Sequence, residues 1–137
     1  METSAGRPSG SENQAPHRVL VVDDEPGVRH LAVRILAEEG YLVDQASDGQ
    51  EALAIIKTVG SAVDAVVSDI VMPRVTGIDL LEALSVSHPG LPVVLMSGYG
   101  VEQLKQRGIA APCTVVPKPF TPERLVSEVR RCIAERR

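Results

Sequence analysis

The sequence predicts a doubly wound α/β domain, a parallel sheet with helices on both faces, and three observations lead there. Short β-branched runs are continuous rather than alternating, as in strands covered on both faces. Segments of helical period separate these runs. The β-α alternation repeats five times from Arg18 onward, and right-handed crossovers then place helices on both sides of one sheet.

The strands are read in order. Val19-Leu20-Val21-Val22, Ala65-Val66-Val67, Val93-Val94-Leu95-Met96 and Thr114-Val115-Val116 are the buried runs. Tyr41 to Ala46 (YLVDQA) is more polar and reads as an edge strand. The first helix opens at Pro26, carries Val28, Leu31, Ala32, Ile35 and Leu36 at helical spacing, and stops at Gly40. Asp48 caps a second helix with Ala52, Leu53 and Ile56, ended by Gly60. A third carries Ile78, Leu81 and Leu84 and stops before His88-Pro89-Gly90. A fourth, about Val101 to Arg107, is short and weakly apolar. The last has Thr121 as cap, Pro122 in its first turn, and a buried face of Leu125, Val126, Val129, Cys132 and Ile133.

Composition narrows the function. The chain has 137 residues, 44% of them hydrophobic. That length suits one domain with a core that needs no staple. Only 2% of residues are aromatic, so a stacking platform for single-stranded nucleic acid is excluded. A net charge of −4 argues against direct nucleic-acid binding, which rests on neutralising phosphates. Residues 1–17, rich in Ser, Gly and Pro and lacking Leu, Ile, Val and Phe, read as a disordered tail ahead of a domain over 18–137. Cys113 and Cys132 sit in no CxxC or Cys/His cluster and read as two small buried hydrophobes in a reducing compartment. With no apolar run of membrane-spanning length and no secretory signal, the expected location is the cytoplasm.

Ligands of doubly wound folds bind beyond the carboxyl ends of the strands. There the sequence places Asp23-Asp24-Glu25 after the first strand, Ser68-Asp69 at the third, Ser97-Gly98 at the fourth and Lys118-Pro119 after the fifth. Each has an ordinary reading alone: Asp-Asp-Glu as a helix cap, Asp69 as a turn former before Pro73 and Gly77, Ser97-Gly98 as a loop, Lys118 as a surface lysine. Jointly they form one rim. Three clustered carboxylates repel one another, and a hard divalent cation relieves this. Carboxylates, waters and a phosphoryl oxygen are how Mg²⁺ is usually held, and a lysine and a hydroxyl complete a phosphoryl site.

VLVVDDEPGVR, VVSDIVMPRVTGIDLL, PVVLMSGYG and VVPKPFTPERL together resemble the receiver domain of two-component response regulators, over about residues 18–136. The resemblance implies a flavodoxin-like five-stranded parallel sheet of order 2-1-3-4-5. It implies Asp69 as the acceptor of a phosphoryl group from a histidine kinase or histidine phosphotransfer protein. Asp23, Asp24 and Asp69 would hold Mg²⁺ with the backbone carbonyl of Val71, Asp24 being favoured as the direct ligand. Ser97 and Lys118 would contact the phosphoryl group, Gly98 would leave room for the donor, and the bond before Pro119 would be cis. The chain departs from the family at Val115, where an aromatic residue is common. Val71 and Tyr99 would flank the path of attacking water and slow the loss of phosphate.

The reading is a stand-alone phosphoacceptor, monomeric or weakly dimeric. It is not an enzyme beyond catalysing its own Mg²⁺-dependent phosphorylation and dephosphorylation. With no room for an output module after the last helix, it would signal through an unknown downstream protein. MSGYG and KPFTPE also resemble receivers attached to hybrid histidine kinases, so excision from a longer protein is an alternative. Two rivals remain at this stage. The first is a pseudo-receiver that signals without phosphate, against which the full set Asp23, Asp24, Asp69, Ser97 and Lys118 argues. The second is a Mg²⁺ phosphohydrolase, which would want an acid where Val71 stands. The arginines at 130, 131, 136 and 137 read as favourable charges at a helix C-terminus.

Overall fold

A computed structural model of the chain describes residues 16–98 and 111–136. Five strands, β1 (Arg18–Val22), β2 (Leu42–Ala46), β3 (Ala65–Asp69), β4 (Val93–Ser97) and β5 (Thr114–Pro117), form one parallel sheet in the order β2-β1-β3-β4-β5. Four helices accompany them among the described residues: α1 (Pro26–Glu38), α2 (Gly49–Val59), α3 (Gly77–Ser87) and α4 (Pro122–Glu135). The expected helix near Val101–Arg107, Tyr99 and residues 1–15 of the tail lie outside the described residues.

The continuous apolar runs are explained by what covers them. Val19 and Val21 point into a core shared with Ala32, Ile35 and Leu36 of α1 and Leu125, Val129 and Ile133 of α4. Leu20 and Val22, one residue out of phase, enter a second core with Ala52 and Ile56 of α2 and Ile78, Leu81 and Leu84 of α3. Successive strand residues face opposite sides, so a strand covered twice stays apolar up to its carboxyl end, where β3 carries Ser68 and Asp69 and β4 carries Ser97. β2 has one neighbour, and its more polar sequence matches that edge position.

Local signals set most of the ends. Asp48 accepts from the Glu51 N–H at α2, and Thr121 accepts from the Arg124 N–H at α4. Gly40, with φ +99, follows α1. At α3, Thr76 and Asp79 form a reciprocal capping box that the sequence reading did not single out. Gly77 is required by a close approach: a Cβ there would overlap the Asp69 carbonyl oxygen and crowd Ile70.

Two expectations are corrected. Leu31 keeps helical spacing but is 47% exposed, because the α1 stripe that meets the sheet runs through Ala32, Ile35 and Leu36. Cys113 and Cys132 are joined as a disulfide with Cα atoms 6.1 Å apart. The start of β5 passes beneath the last turns of α4, a proximity created by topology that spacing in sequence does not reveal. The arginines near the end of α4 also make ion pairs: Arg130 meets Glu39, Arg131 meets Glu128 and Glu135, and Arg136 meets Asp64, while Arg137 lies outside the described residues.

Candidate functional site

Parallel topology brings the ends of β1, β3, β4 and β5 to one rim. The cleft there has a volume of about 370 Å³ and is lined by Asp24, Glu25, Asp69, Val71, Gly98 and Lys118, among others. Asp23, Asp24 and Asp69 offer carboxylate oxygens that all lie within 4.8 Å of one another.

Asp23 is fully buried, and both of its oxygens are engaged. Oδ1 accepts from the Glu25 N–H at 2.9 Å, and Oδ2 accepts from Lys118 Nζ at 3.0 Å. The Asp23 backbone is held too, its N–H donating to Ala46 and its carbonyl accepting from Arg29. Arg29 in turn donates to Gln45, bracing the β1 end against β2. Sequence reasoning missed Arg29. The capping reading of these acids does not hold, because Glu25 is the N-cap of α1 and its side chain makes no cap hydrogen bond.

Asp69 ends β3 with 7% of its surface exposed. Its neighbour Ile70 donates to Met96 of β4, and Gly77 donates back to Ile70, so the turn after the carboxylate is closed on both sides. Lys118 Nζ lies 3.4 Å from Asp69 Oδ1. Burial pushes the Asp69 carboxyl above its usual range. Lys118 and the Val71 N–H pull it back, and the Asp23 charge adds to the rise. Burial acts to lower Lys118, but its contacts with Asp23 and Asp69 outweigh it and hold the ammonium above its usual value.

Ser97 is buried at the end of β4, and its carbonyl accepts from the Lys118 N–H at 2.9 Å. The bond between Lys118 and Pro119 is cis. Val115 pairs with Leu95 and packs on the α2–α3 side of the sheet. Asp23, Asp24, Asp69, Val71, Ser97 and Lys118 are therefore together at this rim. Arg74, three residues before Gly77, has φ +65, uncommon for a residue with a side chain, and pairs with Asp48 at 3.5 Å.

The donor set suits a hard cation. Three carboxylates converge, while no thiol or imidazole takes part in the cluster among the described residues. One lysine balances only part of that negative charge.

Fold and rim together define a doubly wound α/β domain with clustered carboxylates at its strand ends, and the comparisons identify its family. Residues 19–130 match the response regulator receiver domain, and the chain belongs to that family. It is 40% identical over 117 residues to the sensor kinase CckA of Brucella abortus, covering 84% of this chain and 12% of the kinase. It is 36% identical over 116 residues to the response regulator MprA of Mycolicibacterium vanbaalenii, covering 84% of this chain and 49% of that protein. The crystal structure of the receiver domain of NtrX from Brucella abortus superposes with a TM-score of 0.75 at 36% identity, covering 85% of this chain and 98% of that one. The chain thus spans half or less of the length of these two curated relatives. It is a two-component receiver domain with the flavodoxin-like topology. Such domains are signalling modules rather than conventional enzymes, interact with histidine kinases or phosphotransfer proteins, and generally bind Mg²⁺ at an acidic pocket. Among the described residues no helix is long and apolar enough to cross a membrane.

Proposed function

We propose that Asp69 is the phosphoryl acceptor of this receiver, charged by a histidine kinase or phosphotransfer protein and read by a further protein. The observation that carries the reading is the bridge made by Lys118. Its ammonium contacts Asp23 at 3.0 Å and Asp69 at 3.4 Å, at the floor of an open acidic cleft.

In the transfer, an Asp69 carboxylate oxygen attacks phosphorus, the bond from phosphorus to the donor breaks, and the donor leaves with that electron pair. A carboxylate already aimed and held by β3 meets the positioning demand of such a step. Lys118, anchored by Asp23, stands ready to accept charge spreading onto the phosphoryl oxygens. Ser97 supplies a hydroxyl at the neighbouring strand end, and movement of that hydroxyl toward the new charge is the local event that a partner would read. Asp23, Asp24, Asp69 and the Val71 carbonyl would hold Mg²⁺, which when bound supplies positive charge beside the phosphoryl oxygens. Asp23 already has two hydrogen bonds, which favours Asp24 as the more direct ligand. Val71 stands where a hydrolase would want a second acid, and it brings no side-chain proton donor to the cleft.

The test is acetyl phosphate with Mg²⁺ followed by intact mass. The parent should gain one phosphoryl group and Asp69→Ala none. A stoichiometric adduct on Asp69→Ala overturns the assignment.

A further inference from the structure

At the opposite end of the strands lies a second cleft of about 420 Å³. Its wall includes Cys113, Cys132, His88, Pro112, Glu135 and Arg136. The Cys113–Cys132 disulfide stands in this wall, far along β5 from the acidic rim. Cys113 is half-buried, whereas Cys132 is 1% exposed.

The disulfide holds one end of an edge strand whose other end carries Lys118. β5 is four residues long and pairs only with β4. It is tied to β4 at both ends, by the Cys113 N–H to Val93 at 2.8 Å and by the Lys118 N–H to Ser97 at 2.9 Å. On the helix side, the covalent link to α4 fixes where the strand begins. A parallel tether does not depend on it: Arg136 grips Asp64 at 2.8 Å, and Arg136 also donates to the Asp64 carbonyl. Opening the disulfide therefore leaves α4 pinned to the sheet while removing the covalent tie at the start of β5, which then rests on its pairing with β4.

We infer that the Cys113–Cys132 pair is a thiol–disulfide switch, reduced by a dithiol, that loosens β5 and thereby the placing of Lys118 at the acidic rim. One thiolate of the dithiol attacks the sulfur of Cys113, the residue nearer solvent. The Cys113–Cys132 bond breaks, and Cys132 leaves as a thiolate that takes a proton. The second thiol of the dithiol resolves the mixed disulfide and frees the Cys113 thiol. Two electrons and two protons pass to the protein, and the dithiol ends as a disulfide. The effect on the strand stands on geometry alone; the effect on phosphoryl transfer rests on the reading of Asp69 as acceptor.

The full chain, prepared under air, is compared before and after dithiothreitol. Thiol titration should find no free thiol before and two after. Hydrogen exchange at the amides of Cys113 and Lys118 should lose protection on reduction, while the Asp64–Arg136 end of α4 keeps it. Labelling of Asp69 by acetyl phosphate should slow by about fivefold in the reduced form. Cys113→Ser with Cys132→Ser should behave as the reduced form with or without dithiothreitol. If that variant fails to fold, the parent in its two redox states carries the comparison. Two free thiols in air-oxidised protein, or unchanged exchange in β5, overturns the switch. Looser β5 with equal labelling overturns the link to the rim. Looser β5 with no labelling in either state overturns the acceptor reading while the strand release stands.

Discussion

At the carboxyl ends of the strands, three carboxylates share one lysine; toward the amino ends, two arginines meet two aspartates beside a disulfide. Asp23, Asp69 and, at 3.9 Å, Glu25 meet Lys118, and Asp24 crowds the same rim, which leaves an excess of negative charge. Arg18 faces Asp44 at 3.1 Å, its backbone N–H donates to Asp64 at 2.7 Å, and Asp64 also takes Arg136. The second set balances its charges within itself. The first leaves a deficit that a cation or a change of charge must answer. One sheet thus has an end whose charges are matched and an end that keeps more carboxylates than cations.

The largest effect that sharpens this contrast is expected from Asp64→Ala. It leaves the Arg18 N–H without its acceptor and Arg136 with only the backbone carbonyl of residue 64. The ion pair is partly exposed and counts for little by itself, but the loss of the backbone acceptor should bring the total to about 2 kcal/mol. Urea unfolding measures it. A variant as stable as the parent would remove the basis for calling this end the anchored one.

A smaller effect concerns pH. Folding raises the Asp69 carboxyl, chiefly through burial. A carboxyl raised by folding binds its proton more tightly in the native state than in the unfolded chain. Stability is then lost as pH rises from the ordinary carboxylate value through the raised one, and stays lower above it. Asp69→Asn removes that loss. In EDTA, its melting temperature relative to the parent should improve from about pH 4 to about pH 7. A difference that stays constant across this range would contradict the cost assigned to burying Asp69.

The smallest change in stability is expected from Asp24→Asn. Asp24 is exposed and belongs to a crowded set of like charges. In EDTA the variant should melt within about 0.5 kcal/mol of the parent, on the stable side. Its phosphorylation by acetyl phosphate should nevertheless slow strongly, and higher Mg²⁺ should restore part of the rate. A marked loss of stability in EDTA would revive the helix-capping account of Asp24.

The two ends were also unequally legible in sequence. Asp23, Asp24 and Lys118 follow strands of unmistakable pattern, and Asp69 and Ser97 end them, so reading the strands located the rim. The buried face of α4 was legible for the same reason: Leu125, Val126, Val129, Cys132 and Ile133 recur at helical period, and all are buried. The anchored end has no such grammar. Asp64 precedes β3 and Arg136 follows α4, 72 residues apart, and only the packed fold joins them. The disulfide was hidden likewise, since 19 residues of separation say nothing about a strand passing under a helix. Leu31 misled because period places a residue on a stripe without saying how wide the covered stripe is. Gly77 looked like a turn residue, whereas its reason lies in the backbone of another element.

That contact at Gly77 has a mechanical consequence. Between the first residue of α3 and the peptide after Asp69 there is no side chain at all, only backbone against backbone. A side chain in such a gap would act as a compressible spacer, turning to another rotamer when either element moved. Without one, the joint has no play. A displacement of the β3 end meets the start of α3 with no rotamer between them to absorb it. The position works as a bare bearing between carboxylate and helix, and any residue larger than glycine would jam it.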